Sequence, residues 1–427
     1  MRVLFAVNPE KSLFPYLVPL AWALRTAGHE VRVASRPGFA DVITRAGLTA
    51  VPVGRDQAHD RRLVAGGMTP EAMQEARSGM GPPYDVLEDP SKADWEYLRD
   101  EHLEAVRVWH RPENFPLIAG LVEFARAWEP DLVVWEPTTY AGPIAAKACG
   151  AAHARFLWSV DAFGLTRDLF LKLKAEQPAG EQVDPLADWF SSYGRKYGFE
   201  FSEDMTTGHF TVDQIPPSLR DPADLHYVPM RYVPYGGAAV VPPWLWAAPE
   251  KPRVALTMGL SATRVFGGYD VPLQEILDEL GDLDIELVAT IAESEQRKLT
   301  RVPANTRVVS YAPLHALAPT CSVVIHHAGA ATLTTTALYA VPQLSLHHHW
   351  DGPMLARGLA AQGAGLEIHT TRVTGRAVRE AVLRLLHEPG FRDRAADLRD
   401  ELRQLPTPNQ LVPEIELLTA KYRAVTP

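Results

Sequence analysis

A turn of small residues flanked by histidines, His326-His-Ala-Gly-Ala-Ala-Thr332, is the clearest candidate for chemistry in this sequence of 427 residues. The apolar residues 321–325 before it predict a buried parallel strand, and the spacing of residues 332–339 after it predicts a helix. Unpaired amides at a helix N-terminus and the helix dipole together favour an anion, typically a phosphate. Because His327 and Thr332 could add side-chain donors, the turn predicts a diphosphate site. The alternative is a turn that only lets a helix pack against its strand.

A second loop would bring a carboxylate to the same edge of the sheet. Residues 343–346 predict the next parallel strand, and His347-His-His-Trp-Asp351 follows it. Loops at the carboxyl ends of neighbouring parallel strands are where open α/β sheets bind ligands. Two metal sites are alternatives. The histidines at 326, 327, 347, 348 and 349 could form an imidazole cluster, and Asp282-Leu-Asp284 matches a D-x-D string, although at the opposite edge of the sheet.

Two α/β halves must position these loops. Residues 2–35 predict a strand, a helix and a second strand, which is a βαβ unit of a parallel sheet, and a new α/β pattern begins at residue 253. A cleft between two such halves is a common place for a small-molecule site. The expected segments are an N-terminal domain of residues 1–215, a proline-rich linker of residues 216–250, a C-terminal domain of residues 251–405 and a final helical segment of residues 406–427.

The composition indicates a globular protein without a nucleic-acid or membrane partner. The formal net charge is −10, and no basic tract would attract phosphate backbones or anionic lipids. No run approaches 18 apolar residues and the start lacks the pattern of a signal peptide, so we expect a cytoplasmic protein. Cys149 and Cys321 both stand in apolar contexts, which argues against a disulfide framework or a cysteine metal site.

Several segments, in this order, carry a family resemblance. They are LVPLAWAL at residues 17–24, GHEV at 28–31, WEPTTY at 135–140, MRYVPY at 230–235, HHAGAAT at 326–332 and VPQ at 341–343. Because these segments occur in this order, the chain resembles the GT-B glycosyltransferases that attach deoxysugars from nucleotide diphosphate donors to macrolide or aromatic polyketide aglycones. The resemblance implies an α/β fold of two facing Rossmann-like domains, with a cleft between them and a C-terminal helix that crosses back to the first domain.

The resemblance also implies the site residues. The donor, a thymidine diphosphate (dTDP) deoxysugar, would meet Ser261, Val309, Tyr311, Leu314, His327, Gly329, Ala330, Ala331, Thr332, Trp350 and Asp351. The hydrophobic acceptor would meet Phe14, Trp95, Trp135 and Tyr140, beneath a polar cover formed by residues 56–115. Such enzymes need no metal cofactor, because a helix dipole and a histidine stabilise the departing diphosphate.

Two departures from the family pattern are visible. Alanine replaces glycine at Ala328 and Ala331, which is costly only where φ is positive. Moreover, no histidine occurs before Gly28, although many relatives carry a general base there. Glu136 and Asp161, each at the carboxyl end of a predicted strand, are the candidate replacements, and burial could raise the pKa of Glu136 into a useful range. Ser12, a water molecule or acceptor-assisted attack are the alternatives.

The leading interpretation is therefore an inverting glycosyltransferase. Aromatic C-glycosyltransferases of the urdamycin type also lack the histidine, so C–C bond formation to an aromatic ring is one form of it. O-glycosylation of a macrolide with an auxiliary protein is a second. The other candidates are a non-catalytic subunit of this fold and an enzyme like UDP-sugar 2-epimerase. A homodimer, the auxiliary protein, the sugar and the aglycone are all left open by the sequence.

Overall fold

The computed structural model describes residues 1–56, 79–259 and 268–423. In these ranges the chain forms two parallel β-sheets with helices on both faces, which confirms the predicted class of two Rossmann-like domains. None of the helices in these ranges is long and apolar enough to span a bilayer.

The first domain contains seven described strands. They are β1 (Arg2–Ala6), β2 (Glu30–Ser35), β3 (Thr49–Pro52), β4 (Leu132–Trp135), β5 (Ala152–Phe156), β6 (Phe210–Asp213) and β7 (Tyr227–Pro229). The order across the sheet is β3-β2-β1-β4-β5-β6-β7, and all the pairs are parallel. Its described helices are α1 (Phe14–Thr26), α2 (Ala40–Arg45), α3 (Trp95–Ala105), α4 (Arg111–Trp128), α5 (Ala141–Cys149), α6 (Ala162–Ala175), α7 (Pro185–Tyr197) and α8 (Asp204–Thr207).

The second domain contains six described strands. They are β8 (Arg253–Thr257), β9 (Glu286–Thr290), β10 (Thr306–Val309), β11 (Val323–His326), β12 (Gln343–His347) and β13 (Gly365–His369). The order is β10-β9-β8-β11-β12-β13, again parallel throughout. The helices that follow are α9 (Leu273–Leu280), α10 (Glu293–Gln296), α11 (Leu314–Leu317), α12 (Ala330–Ala337), α13 (Gly352–Gln362), α14 (Gly375–His387), α15 (Pro389–Gln404) and α16 (Pro408–Tyr422).

The strand register brings the candidate loops together. Ala6 pairs with Trp135, and Trp135 pairs with Arg155, so the loops after β1, β4 and β5 leave the first sheet side by side. In the second sheet His326 pairs with both Thr257 and Ser345, which groups the loops after β8, β11 and β12 in the same way. The central strands are buried along their whole length, as expected for a parallel sheet covered on both faces.

The predicted domain boundary at residue 215 lies too early. β7 falls within the stretch predicted as a linker, yet it pairs in parallel with β6 and forms the edge of the first sheet. An edge strand tolerates proline because one side of its backbone needs no ladder hydrogen bonds, so a proline-rich sequence concealed this strand. The two domains also share one apolar cluster, in which Phe14 and Ile215 of the first domain meet Leu333 and Leu359 of the second.

The C-terminal helix returns to the first domain, as the family resemblance implied. Thr407 and Gln410 form a capping box at the start of α16, and a proline occupies its first turn. The helix packs on α1 and β5. Along it, His29 meets Glu416 at 2.8 Å, and the Tyr422 ring stacks on His209 at 4.7 Å.

The docking of this helix can be tested with two neighbouring side chains. Ile415 is fully buried, whereas Leu417 is 73% exposed. We expect Ile415→Ala to lower the free energy of unfolding by about 2–5 kcal/mol because it leaves a cavity. Leu417→Ala should change the free energy by less than about 0.5 kcal/mol. Urea denaturation of both variants measures this, and an effect of Ile415→Ala as small as that of Leu417→Ala would contradict the docking.

Candidate functional site

The small-residue turn after β11 presents the start of α12 to the interface between the domains. Gly329 is the N-cap of α12 and has an extended conformation, with no side chain capping the helix. The first bond within the helix runs from the Leu333 amide to the Gly329 carbonyl, so the amides of Ala330, Ala331 and Thr332 have no acceptor inside the helix. The sequence prediction of open amides at this position agrees with this geometry.

A buried histidine fixes the shape of the turn. The Ala328 amide donates to Nδ1 of His326 at 2.9 Å, and Nε2 of His326 lies 2.8 Å from the amide oxygen of Gln343 on the next strand. Ala328 has a φ of 63°, the left-handed conformation that costs a residue with a side chain about 1–2 kcal/mol. Of the two alanines that replace glycine, Ala328 is therefore the strained one, while Ala331 lies within α12.

His327 lies between two glycines at the mouth of the turn. A side-chain carbon at either Gly259 or Gly329 would lie 2.5 Å from the imidazole ring, so any larger residue there would displace the ring. Burial lowers the pKa of His327 to about 4, which keeps the ring neutral near pH 7. Its Nδ1 has no hydrogen-bond partner within the described ranges. A hydrogen bond to the Thr257 backbone opposes this lowering of the pKa. Because a neutral imidazole has only one N–H, the ring can donate to an anion when it gives up that bond.

A tyrosine of the first domain faces this turn from the other side. Tyr16 of α1 is buried, and its ring lies 5.8 Å from that of Tyr232. Burial raises the pKa of Tyr16 well above its usual value, and the nearby Tyr232 and Asp351 raise it further. A hydrogen bond from the Ala331 amide lowers it. The phenol thus lies in front of one of the amides that an incoming anion would use.

The loop after β12 joins the two domains through Trp350. Its indole ring lies 5.4 to 5.9 Å from the rings of Tyr84, Trp109 and Phe163, and its amide donates to the Gly79 carbonyl at 3.2 Å. Trp350 also has a positive φ, of 49°. We call Tyr84, Trp109, Phe163 and Trp350 the aromatic cluster. The prediction placed Trp350 only against the sugar, but its ring packs on the first domain.

Glu136 differs from the other buried carboxylates. It follows β4 and accepts hydrogen bonds from the Thr138 amide at 2.9 Å, from the hydroxyls of Thr138 and Thr139, and from the Trp158 indole at 3.4 Å. Within the described ranges it has no cationic partner. The buried carboxylates that do pair with lysine or arginine are Asp85, Asp161, Asp184, Asp213 and Glu295. Glu136 is 1% exposed, and burial raises its pKa against these hydrogen bonds, which is the direction that favours a general base.

Asp161, the other candidate base, has a different environment. It caps α6 through the Gly164 amide at 2.8 Å, forms an ion pair with Arg155, and accepts the Tyr227 hydroxyl at 2.7 Å. Both of its oxygens are thus engaged in the core. These contacts hold β5, α6 and β7 together, and the ion pair with Arg155 distinguishes Asp161 from Glu136.

Several predicted acceptor residues lie in the core. Trp135 is fully buried and its indole donates to Nδ1 of His153 at 3.3 Å. Tyr140 packs on Phe190, and Phe14 packs edge-on against another phenylalanine, at 5.7 Å. Trp95 is half-buried against Phe170. The structure therefore brings none of these four into the aromatic cluster.

Other predicted residues are placed as follows. Ser12 is exposed and donates to Glu10 at 2.9 Å, and Tyr311 is 51% exposed after β10, with Val309 and Leu314 half-buried beside it. Ser261 lies outside the described residues. Sequence reasoning missed Tyr16, Tyr84, Trp158 and Phe163 as site residues. Open α/β sheets bind ligands at the carboxyl ends of their strands, and this could have identified Trp158, which follows β5 as Glu136 follows β4.

Three of the five histidines that were the alternative metal site have other partners. His326 is bonded to Gln343, His347 meets Glu367, and His348 meets Asp270 at 3.0 Å. The Asp282-x-Asp284 string is also engaged in ion pairs, with Arg379 and Lys251.

A different group of His153, Asp204 and His209 has the spacing of a metal site within the described ranges. Its proton positions oppose that role. The Trp135 indole donates to Nδ1 of His153 and the His153 amide donates to Nδ1 of His209, so each neutral ring carries its proton on Nε2, towards Asp204. The Lys147 ammonium lies 2.5 Å from the same carboxylate oxygen.

Family models match most of the chain. The N-terminal domain of the erythromycin biosynthesis protein CIII-like family matches residues 22–259, and its C-terminal domain matches residues 274–418. The 10-deoxymethynolide desosaminyltransferase of Streptomyces venezuelae is 46% identical over 99% of this chain and 98% of its own length. The aclacinomycin-T 2-deoxy-L-fucose transferase of Streptomyces galilaeus is 41% identical over 99% and 97%.

A solved structure agrees over the full length. The glycosyltransferase VinC, in complex with dTDP, superposes with a TM-score of 0.87 at 36% identity, covering 99% of this chain and 100% of its own. The arrangement of two facing parallel-sheet domains is therefore the GT-B fold.

The structural role of Asp161 can be tested by stability. Asp161→Asn leaves the buried Arg155 without its anion, and removal of one partner of a buried ion pair costs about 3–5 kcal/mol. We expect that loss in urea denaturation. Asp100→Asn, at a position whose side chain is 62% exposed, should cost less than about 0.5 kcal/mol. A fully stable Asp161→Asn protein would return Asp161 to the list of functional candidates.

Proposed function

The chain belongs to the erythromycin biosynthesis protein CIII-like glycosyltransferases, and we propose that it transfers a deoxyhexose from a dTDP-sugar to a hydrophobic polyketide aglycone. The observation that carries this proposal is the open start of α12, with His327 beside it, opposite the aromatic cluster of the other domain. The helix start suits a diphosphate, and the aromatic cluster suits a hydrophobic ring system. Membership of this family sets aside the epimerase interpretation.

The relatives support this choice of substrates. The Streptomyces venezuelae enzyme is named for a desosaminyl group and a deoxymethynolide, the Streptomyces galilaeus enzyme for a 2-deoxy-L-fucose and an aclacinomycin, and VinC was solved with dTDP. These names include both amino and neutral deoxysugars. They therefore leave open whether the donor of this protein carries an amino group.

The proposed reaction is an inverting displacement. The acceptor oxygen attacks the anomeric carbon of the sugar while the bond to the diphosphate breaks on the opposite face. The α12 amides, the helix dipole and His327 stabilise the charge that develops on the departing diphosphate. Glu136 takes the acceptor proton, and its hydrogen bonds to Thr138 and Trp158 hold it in position. Trp350, in the loop after β12, packs on the rings that would contact the acceptor.

The test is an incubation of the protein with a dTDP-deoxyhexose and a panel of macrolide and aromatic aglycones, followed by mass spectrometry. A product that gains the mass of one deoxyhexose supports the proposal. Hydrolysis of the donor without any conjugate contradicts it. Treatment of the product with acid then separates an O-glycoside, which is cleaved, from a C-glycoside, which persists. C–C bond formation, an auxiliary protein and a homodimer each stay predictions until this assay and a measured molecular mass address them.

Glu136→Gln tests the base. We expect kcat to fall by about 10²–10⁴-fold because the amide cannot accept the proton. The affinity for dTDP should stay within about threefold, since Glu136 lies in the other domain. In the unmodified enzyme kcat/KM should rise with pH through the raised pKa of Glu136, because only the carboxylate accepts a proton, and the variant should lose this rise.

The control for this variant is Glu129→Gln, the same change at a side chain that is 71% exposed. It should keep full activity and the pH profile. An active Glu136→Gln enzyme with an unchanged pH profile would show that Glu136 only orders the loop after β4.

Tyr16→Phe tests the approach to the diphosphate site. Removal of the hydroxyl frees the Ala331 amide, so dTDP should bind about 2- to 10-fold more tightly by calorimetry, the effect of one hydrogen bond of ordinary strength. Tyr197→Phe, on the outer helix α7, is the matched control and should leave binding unchanged. Weaker binding by Tyr16→Phe would mean that the phenol donates to the diphosphate itself.

A further inference from the structure

Asn8 lies in the loop after β1 and contacts the loop that carries Glu136. Its side-chain nitrogen lies 3.1 Å from the Thr138 carbonyl oxygen and 3.0 Å from the Thr138 hydroxyl. Its backbone amide donates to the Thr139 hydroxyl at 2.9 Å. Both of these hydroxyls also bond to Glu136. Asn8, itself only 5% exposed, is therefore the outer partner of the two threonines that hold the carboxylate.

The direction of these hydrogen bonds follows from the Thr138 carbonyl. A carbonyl oxygen only accepts hydrogen bonds, so the side-chain atom of Asn8 that faces it is the nitrogen. The same nitrogen donates to the Thr138 hydroxyl, and the Asn8 backbone amide donates to the Thr139 hydroxyl. A hydroxyl has a single proton. Because Asn8 occupies an acceptor position on each hydroxyl, the proton of each is directed to Glu136.

This direction favours the ionised form of Glu136. Burial raises the pKa of Glu136, and the hydrogen bonds from Thr139 and Thr138 lower it. A protonated carboxyl would need one of its neighbours to turn and accept its proton, but the Thr138 amide and the Trp158 indole can only donate. Asn8 opposes such a turn by the two hydroxyls. Its contacts thus offset part of the cost of a buried negative charge.

Other ionisable groups on the segments around Glu136 have different surroundings. These groups are Glu10, Lys11, His110, Glu113, Asp161 and Asp351. The first accepts from Ser12, the histidine contacts Tyr84, and Glu113 and Asp161 pair with arginines. Lys11 is exposed, and Asp351 lies beside Ser159. Over the part of the chain that the structure describes, none of them bonds to Glu136, so its hydrogen bonds come from the threonines and Trp158.

We propose that Asn8 is a positioning residue for the transfer reaction, which directs the hydroxyls of Thr138 and Thr139 to Glu136 and so keeps this carboxylate able to take the proton of the aglycone. This inference rests on the proposed function, in which Glu136 is the base. It assigns a part in the chemistry to the loop after β1, although that loop contains no histidine.

Two variants of Asn8 test the proposal. Asn8→Asp keeps the shape of the side chain but replaces the donating nitrogen with a negatively charged oxygen, which would accept from the Thr138 hydroxyl. Asn8→Ala removes the side chain and leaves that hydroxyl free to turn. Asn409→Asp is the matched control, because Asn409 is exposed on α16. Calorimetry with dTDP shows whether each variant is folded.

Two measurements report the protonation of Glu136. The first is a pH titration of the Trp158 indole N–H signal by NMR, since this indole donates to Glu136 at 3.4 Å. The signal is one of ten indole signals and is identified by its loss in Trp158→Phe. It needs no substrate. The second measurement is the pH dependence of kcat/KM in the glycosylation assay.

We expect Asn8→Asp to raise the midpoints of both curves by about one pH unit or more, and Asn8→Ala to raise them by about half a unit. The ionised carboxylate loses a directed donor in both variants and also gains a neighbouring negative charge in the first. Below the midpoint, a rise of one unit leaves about tenfold less carboxylate, so kcat/KM should fall by about tenfold there. The affinity for dTDP should be kept, and Asn409→Asp should leave both midpoints unchanged.

Several results would overturn the inference. Midpoints that stay fixed in both Asn8 variants, or a Trp158 signal that titrates in none of the proteins, would show that Asn8 does not act on the ionisation of Glu136. Midpoints that fall would show that it favours the protonated form. Loss of dTDP binding in both variants would make Asn8 a residue of the framework, whereas loss in one leaves the other to decide. A raised Trp158 midpoint in a protein that forms no conjugate would instead refute the proposed function and leave the link from Asn8 to Glu136 intact.

Discussion

The site depends on one constraint, which is that the first amides of α12 have no capping side chain and no acceptor within the helix. A helix start normally finds a serine, threonine or aspartate to cap it, whereas here Gly329 provides no side chain at all. The turn keeps its shape because His326 binds the Ala328 amide and Gln343 together. Ala328 tolerates a left-handed conformation in this arrangement. Rigid open amides need no reorganisation when charge develops on a leaving group, which is the basis of electrostatic catalysis.

The distribution of buried charge separates framework from function. Asp161, Asp184 and Asp213 each meet an arginine, and these pairs hold strands and helices of the first domain in register. Glu136 and Asp351 have no such partner in the described ranges, and Glu136 bonds to Trp158 while Asp351 lies beside Ser159, both on the segment after β5. A carboxylate that is desolvated without a counterion costs stability, so the presence of two of them is best explained by what they do for a ligand.

Much of this organisation could be predicted from the sequence, for a local reason. Parallel strands are buried on both faces, so each appears in the sequence as a continuous apolar run. The loops at the carboxyl ends of these strands contain the turn predicted to bind diphosphate and Glu136. The acceptor side could not be predicted in the same way. Trp135 and Tyr140 belong to the WEPTTY segment that carries the family resemblance. Whether such an aromatic ring lines a pocket or fills the core depends on helices that are distant in sequence. β7 was missed because prolines signal a linker and an edge strand equally well.

Trp350 explains how the two halves of the site can act as one. Its loop leaves β12 of the donor domain, yet its ring contacts Tyr84, Trp109 and Phe163 of the acceptor domain. Its left-handed backbone, of positive φ, is costly for a bulky residue and is sustained here by those ring contacts and by the bond to Gly79. An aglycone that enters the aromatic cluster competes for the same rings. In the proposed reaction, an aglycone bound there would alter the position of Trp350, and we expect the binding of the two substrates to be coupled through this loop.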